Sequence, residues 1–361
     1  MVADVPSTRL HGSTSEDTAR RAARAHVLLM ILLAALTVSV QVKHLGFRYV
    51  DSGKQVRLYQ RMLEGHSGDP WQYRVLSMGI LRCTLASLRG LGVPHSYGTA
   101  FIAFRLVQNI AIFSLAGALY RSLGLTPKEA YLGLGFLAWS MTHALYDSDL
   151  QFSTYTDMIA YLVASLLIIR RKVAAYPIIV SLGALNRESS GLVPVMLIAT
   201  CFTSYWPRDR RVKILVLALV SLALYAVTLV VIRASYAPQP LILPYGHRPG
   251  WDLLRYNVTR WRTWRNLLVT LNVVPLLSVL SYRAWPLALK AILWSVVPAW
   301  LVVHFLGAIA AETRLFLVPG SMVFIPGALF WFQECQRRRP ERGRLGSSAS
   351  DVRSGTCSEE R

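Results

Sequence analysis

Tyr49 to Leu76 reads YVDSGKQVRLYQRMLEGHSGDPWQYRVL. It follows the first long apolar run and precedes all the others. An acid, Asp51, stands close to the end of that run. Basic residues (Lys54, Arg57, Arg61, Arg74), aromatics (Tyr59, Trp71, Tyr73) and a Gly68-Asp69-Pro70 turn follow. A polar stretch of about thirty residues in an apolar chain is either functional or disordered. The aromatics and the turn argue against disorder.

The surrounding composition sets the class. Of 361 residues, 53% are hydrophobic and only 16% charged, against roughly 25% charged in soluble domains. Mean hydropathy is +0.39. Apolar runs of roughly sixteen to twenty residues recur from Val27 to Phe332, the length scale of membrane-crossing helices. The runs do not alternate, which excludes a β-barrel. The expected fold is therefore all-α, a polytopic transmembrane bundle. The formal charge of +20 would point to nucleic acid in a soluble chain. Here it reads as positive-inside topology plus contacts to phosphates, with no nucleic-acid partner. The cysteines are scattered and give neither a disulfide framework nor a zinc site. No GxGxxG, Walker loop or HExxH occurs, so soluble nucleotide or metalloprotease chemistry is not indicated.

Residues 1–26 read as a disordered cytoplasmic tail, 27–332 as the transmembrane catalytic bundle, and 333–361 as a second disordered basic cytoplasmic tail. About ten spans are expected: Val27–Val42, Thr99–Tyr120, Ala130–Tyr146, Met158–Ile169, Val173–Leu185, Gly191–Trp206, Ile214–Ile232, Leu267–Tyr282, Leu287–His304 and Leu315–Phe332. Val75–Leu91 is apolar but carries Arg82 and Arg89. A central arginine costs about 2.5–3.5 kcal/mol on insertion scales. This segment is therefore expected to lie in the outer interface. The short basic loops, at Arg121 and Lys128, Arg170 to Lys172, Arg208 to Lys213, Arg283, and Arg337 to Arg339, then all fall on the cytoplasmic side with both termini.

The opposite face gathers Asp51, Asp147, Asp149, Asp157, Arg187, Glu188, Arg248, Arg255, Arg260, Glu312 and Arg314. Carboxylates at a membrane boundary are costly and are functional candidates by default. Each also has a structural reading. Asp157 after Thr156 fits a helix N-cap. Arg187 with Glu188, and Glu312 with Arg314, fit ion pairs. Together they fit group transfer at the lipid–water boundary. A carboxylate takes a proton from an acceptor hydroxyl, acids hold a divalent cation, and arginines clamp a phosphate.

Asp51 after the first span, Tyr59, the Tyr73-Arg74-Val75-Leu76 opening of an interfacial helix, Thr156-Asp157 and Asn186-Arg187-Glu188-Ser189 resemble the C-type (GT-C fold) membrane glycosyltransferases. The likeness is to their small bacterial relatives and covers residues 27–330. It implies a polyprenyl-phosphate-linked sugar as donor, a glycan, lipid or protein acceptor, and a bacterial inner (plasma) membrane location. It casts Asp51 as the base or a metal ligand, and Glu188 is a second catalytic candidate. Tyr59, Tyr73, Arg74, Arg187, Arg248, Arg255, Arg260, Glu312 and Arg314 would bind substrate. Asp147, Asp149 and Asp157 would hold a cation (Mg or Mn). The chain departs from larger members in having one acid at Asp51 and no soluble carboxy-terminal domain. Two other readings compete: an O-antigen-type polymerase or ligase, for its large arginine-bearing loop, and a lipid-linked-sugar transporter or flippase.

Overall fold

The computed structural model describes residues 12–144, 150–241, 243 and 246–336. Among the described residues the chain is helical, with one isolated bridge between Asp69 and Leu241. Six helices are long and apolar enough to cross a membrane. They are the apolar part (Ala23–Leu45) of α1 (Gly12–Leu45), α5 (Ser96–Ser122), α7 (Phe152–Ile169), α10 (Arg208–Ser235), α14 (Leu287–Gly307) and α15 (Thr313–Gln336). The pair α12 (Trp261–Leu271) and α13 (Val274–Leu280) is bent by 69° and makes a seventh if counted as one span. Between these lie α2 (Phe47–Asp51), α3 (Lys54–Leu63), α4 (Val75–Gly90), α6 (Pro127–His143), α8 (Tyr176–Ala184), α9 (Leu192–Cys201) and α11 (Trp251–Thr259).

Several expected boundaries move. The polar segment ahead of the first span is helical from Gly12, so it is not an irregular tail from there on. Helix α7 starts at Phe152 and not near Met158, because Phe152 and Tyr155 bury themselves against Phe104 and Arg105 of α5. Helix α6 begins in a full capping box. The Glu129 N–H donates to the Thr126 hydroxyl (3.3 Å), and the Thr126 N–H donates to the Glu129 carboxylate (2.7 Å). Losing such a cap costs about 1 kcal/mol.

The two expected spans at 173–206 are short. Helices α8 and α9 have 9 and 10 residues, roughly 15 Å each at 1.5 Å per residue, against a hydrocarbon core of about 30 Å. They form a hairpin. At its base Arg171 donates to the Tyr205 carbonyl (3.0 Å), and the Tyr205 hydroxyl donates to the Ile168 and Ile169 carbonyls. At its tip Asn186 donates to the Ser153 carbonyl (2.7 Å). The hairpin thus runs beside α7 from its last turn to its first. A Cβ on Gly183 would come within 2.8 Å of Ser190 Cβ, so glycine is what lets the two arms close at the tip.

The contacts sort the helix ends into two groups. One end of the bundle joins Gln41 of α1 to the Met141 carbonyl and Tyr155, Asp51 to Gly98, and Thr270 to Thr313. The other end joins Ser122 to Arg170 and Gln333 to Glu129. Helix α4 touches the first group at both of its ends. Ser77 bonds Asn186 and Thr156, and Arg89 stacks on Tyr97 near the start of α5 (4.7 Å). Both ends of α4 thus contact the same end of the bundle.

This arrangement is checked by labelling in a chain whose four cysteines, Cys83, Cys201, Cys335 and Cys357, have been replaced. Single cysteines at the exposed positions Glu64 and Ala237 are expected to label from one side of the membrane, and those at Lys128 and Asp209 from the other. Labelling of Lys128 from the Glu64 side would mean that α4 crosses.

Candidate functional site

Charge is concentrated at the tip of the hairpin. Asn186 is fully buried and joins three elements. It accepts from the Ser77 hydroxyl of α4 (2.6 Å) and donates to the Ser153 carbonyl of α7. Arg187 follows in extended backbone (φ −164°, ψ 145°), which turns its side chain toward α7. Its guanidinium donates to the Thr154 hydroxyl (3.3 Å) and lies 3.9 Å from Asp157. Asp157 is fully buried in the second turn of α7. It is therefore not a helix N-cap. One of its oxygens accepts from the Ser189 hydroxyl (2.6 Å), and its other, Oδ1, is buried with no hydrogen-bond partner among the described residues.

Arg74 enters from the turn before α4, 6% exposed. It donates to the Ser153 hydroxyl (3.1 Å) and to the Gln151 carbonyl oxygen (3.4 Å) and lies over the Trp71 ring (4.3 Å). Burial, and then the nearby Arg187 guanidinium, draw its pKa down to about 10, with Glu188 and Asp157 opposing the shift. It remains a cation at neutral pH. Arg314, 3% exposed, is bonded to Glu312 at the start of α15 and adds to the positive field at Arg74. Buried charges persist only when paired and hydrogen-bonded: Arg187 faces Asp157, Arg314 pairs with Glu312, and Arg74 is held by the side-chain oxygens of Gln151 and Ser153.

Glu188 differs from Asp157. Its backbone carbonyl is fixed by the Tyr225 hydroxyl (2.6 Å), but its half-buried carboxylate accepts no hydrogen bond from a side chain among the described residues. It is the acid of the cluster available to a substrate.

A cavity of about 760 Å³, counting its open mouth, leads to Arg74. Leu58, Met62, Trp71, Met78, Leu81 and Phe101 line its apolar body, while Arg74, Ser77 and Ser153 line its polar end. A pocket with an apolar body and a few convergent polar groups suits an amphiphile with an anionic head.

The cluster therefore unites Arg74, Asp157, Arg187, Glu188, Glu312 and Arg314. Tyr59 lines the cavity, its hydroxyl buried without a hydrogen-bond partner among the described residues, and burial raises its pKa. Tyr73 instead packs against Tyr236 (6.1 Å) beneath Arg233. Asp51 is not part of the cavity wall. Its carboxylate accepts the Gly98 N–H (3.0 Å) and faces His95 Nδ1 (2.7 Å). It serves as an N-cap for α5 supplied from elsewhere in the chain, where the helix dipole favours a negative charge. Arg248, Arg255 and Arg260 are exposed on and beside α11. They do not reach the cluster, because α11 turns its buried Leu253 and Asn257 toward the bundle, Asn257 bonding the Phe305 and Ala308 carbonyls. Asp147 and Asp149 lie outside the described residues.

Of the expected cation ligands only Asp157 lies among the described residues. Ser189 and the Arg187 guanidinium stand beside one of its oxygens, and among the described residues no three His, Cys, Asp or Glu side chains converge.

Several participants escaped the sequence reading. Gln151, Ser153 and Thr154 supply hydrogen bonds from the first turns of α7, which the late span boundary had cut off. Arg105, fully buried with its guanidinium 3.4 Å from the Tyr155 ring centroid, carried a legible signal as a lone arginine inside an apolar run. Compared with known families, curated proteins and solved structures, the chain finds no match.

Removing one partner of a buried charge pair costs about 3–5 kcal/mol. Arg187→Leu is therefore expected to lower stability in detergent by that order. Adding Asp157→Asn is expected to restore a large part of it. Additive losses in a double-mutant cycle would show that the two charges are not coupled.

Proposed function

We propose that the chain is a membrane glycosyltransferase that takes a sugar from a polyprenyl-phosphate donor on the extracytoplasmic face of a bacterial inner membrane. The observation that carries this reading is Arg74, set at the polar end of a cavity whose body is apolar, with Arg187, Arg314, Asp157 and Glu188 near enough to act on its charge.

The orientation follows from charge. Arg121, Lys128, Arg170 to Lys172 and Arg208 to Lys213 lie at the bundle end opposite the cluster. Short basic loops face the cytoplasm, so the cluster faces out. The chain crosses about ten times on this reading, with α6, α8, α9 and the bent pair α12–α13 added to the six long helices. Helix α4 lies along the outer interface, and both termini are cytoplasmic.

The polyprenyl tail enters along Met78 and Leu81. The phosphate meets Arg74 first, with Arg187 and Arg314 behind it. An acceptor hydroxyl of a glycan, lipid or protein attacks the anomeric carbon while the bond from that carbon to the phosphate oxygen breaks. The oxygen leaves with the electron pair, and the resulting charge is held by the guanidinium groups. Such preorganised cations stabilise charge in a dry site far better than in water. The acceptor's proton passes to Glu188, whose half-buried carboxylate accepts no side-chain hydrogen bond among the described residues, and then to solvent. Asp157 holds Arg187 in place.

The resemblance assigns the base to Asp51, whereas the geometry favours Glu188, and transfer assays on equal amounts of membrane protein separate the two. Glu188→Gln is expected to lower transfer by about 10²–10⁴-fold, the range of a general base. Asp51→Asn is expected to keep most activity and to lose about 1 kcal/mol of stability, as for a helix cap. The reverse pattern returns the role to Asp51.

A second assay addresses the phosphate. Arg74→Ala is expected to raise the KM for the lipid-phosphate donor about 10- to 100-fold, the worth of a hydrogen bond to a charged group. An unchanged KM removes Arg74 from the donor site, and loss of transfer in neither the Arg74 nor the Glu188 variant moves the reading to a transporter.

A further inference from the structure

At the bundle end opposite the cluster, the turn that follows α7, the base of the hairpin and the first turns of α10 enclose a second pocket. It measures about 830 Å³ with its mouth. Its floor is apolar: Val173, the buried Trp206 and Ile214. Its rim carries Arg171, Arg210 and Lys213, with Asp209 the acid among them. Arg171 is immobilised. Its backbone is left-handed (φ 57°), and its guanidinium donates to the Tyr205 carbonyl (3.0 Å) and lies over the Tyr205 ring (4.8 Å). Arg211 is held too, its Nε donating to the Trp206 carbonyl (3.0 Å). Arg210 and Lys213 are exposed, and no side-chain partner holds either among the described residues.

Two unheld cations over an apolar floor, beside a Tyr–Trp pair at the ends of membrane-length helices, match the depth at which lipid headgroups lie. Lys213, Val216, Val220 and Val227 follow one another at helical spacing along one face of α10. The valines are exposed, from 47% at Val220 to 59% at Val227, and continue the pocket as an apolar track. Phosphate at the rim and hydrocarbon along the track describe one molecule.

We propose that this pocket binds an anionic phospholipid, with its phosphate between Arg210 and Lys213 and an acyl chain along Val216 and Val220. The topology argued above puts it in the cytoplasmic leaflet. Basic pockets between helices on that side suit anionic headgroups. The bound lipid bridges α7, α10 and the base of the hairpin whose tip carries Arg187 and Glu188. It acts as a clamp on that hairpin, and the binding itself does not depend on what reaction the tip performs.

The test uses the full chain in phosphatidylcholine nanodiscs, with phosphatidylglycerol titrated in, read by thermal unfolding and by the lipid retained in native mass spectrometry. Wild type is expected to retain phosphatidylglycerol and to gain several degrees in Tm. Arg210→Ala with Lys213→Ala is expected to lose the retained lipid and most of the gain, with apparent affinity about tenfold or more weaker, as two basic groups near an anionic surface imply. Arg121→Ala with Lys128→Ala, which removes the same charge from the same bundle end outside the pocket, is expected to behave as wild type. Equal losses in the two pairs would reduce the effect to diffuse surface charge and overturn the proposal. So would a Tm gain from inorganic phosphate alone, or wild type that retains no lipid. If the pocket double variant is unstable in neutral lipid, Lys213→Gln alone carries the comparison.

Discussion

The structure depends on the need to satisfy buried polar groups at the tip of the α8–α9 hairpin. An unpaired amide or charge in an apolar bundle costs several kcal/mol. The tip carries Asn186, Arg187, Glu188 and Ser189 in succession, and it is placed where α7 offers what they lack. The Ser153 carbonyl takes the Asn186 amide, the Thr154 hydroxyl takes Arg187, and Asp157 takes the Ser189 hydroxyl. The spacing of these partners is that of about one helical turn. The first turns of α7 and the tip thus fix one another's register, and α4 is fixed with them through Ser77.

That constraint also decides how far the hairpin reaches. Its arms are too short to be spans by length alone, so hydropathy does not place them. Polar pairing at the tip and the Arg171–Tyr205 contact at the base do. Helix ends with irregular backbone are tolerated at membrane depth only where protein or a cavity satisfies them, and here both do.

Much of this was legible. Composition gave a helical membrane bundle, and the segments Tyr73 to Leu76, Thr156-Asp157 and Asn186 to Ser189 were each singled out before any geometry. They meet at one place. What stayed hidden has physical causes. Hydropathy averages over a window, so it gave the short arms the same weight as the full-length helices and began α7 six residues late, since Ser153, Thr154 and Asp157 look polar although they are buried. The partners of Asp51 are hidden by sequence distance. The N–H of Gly98 is forty-seven residues away, and no local pattern announces a cap supplied from another element. The arginines of 248–260 were legible as a basic aromatic stretch, but a helix shows solvent whichever face its neighbours leave, and Asn257 settles that face.

The two acids of this region differ in burial. Asp157 is enclosed, with the Ser189 hydroxyl on one oxygen and the Arg187 guanidinium 3.9 Å away, which suits it to anchor a guanidinium. Glu188, one residue beyond Arg187, is half-buried and held through its backbone carbonyl by the Tyr225 hydroxyl. A single extended residue at the tip, with φ near −164°, separates the two surroundings: it turns Arg187 inward to α7 just before the 3₁₀ turn that starts at Glu188.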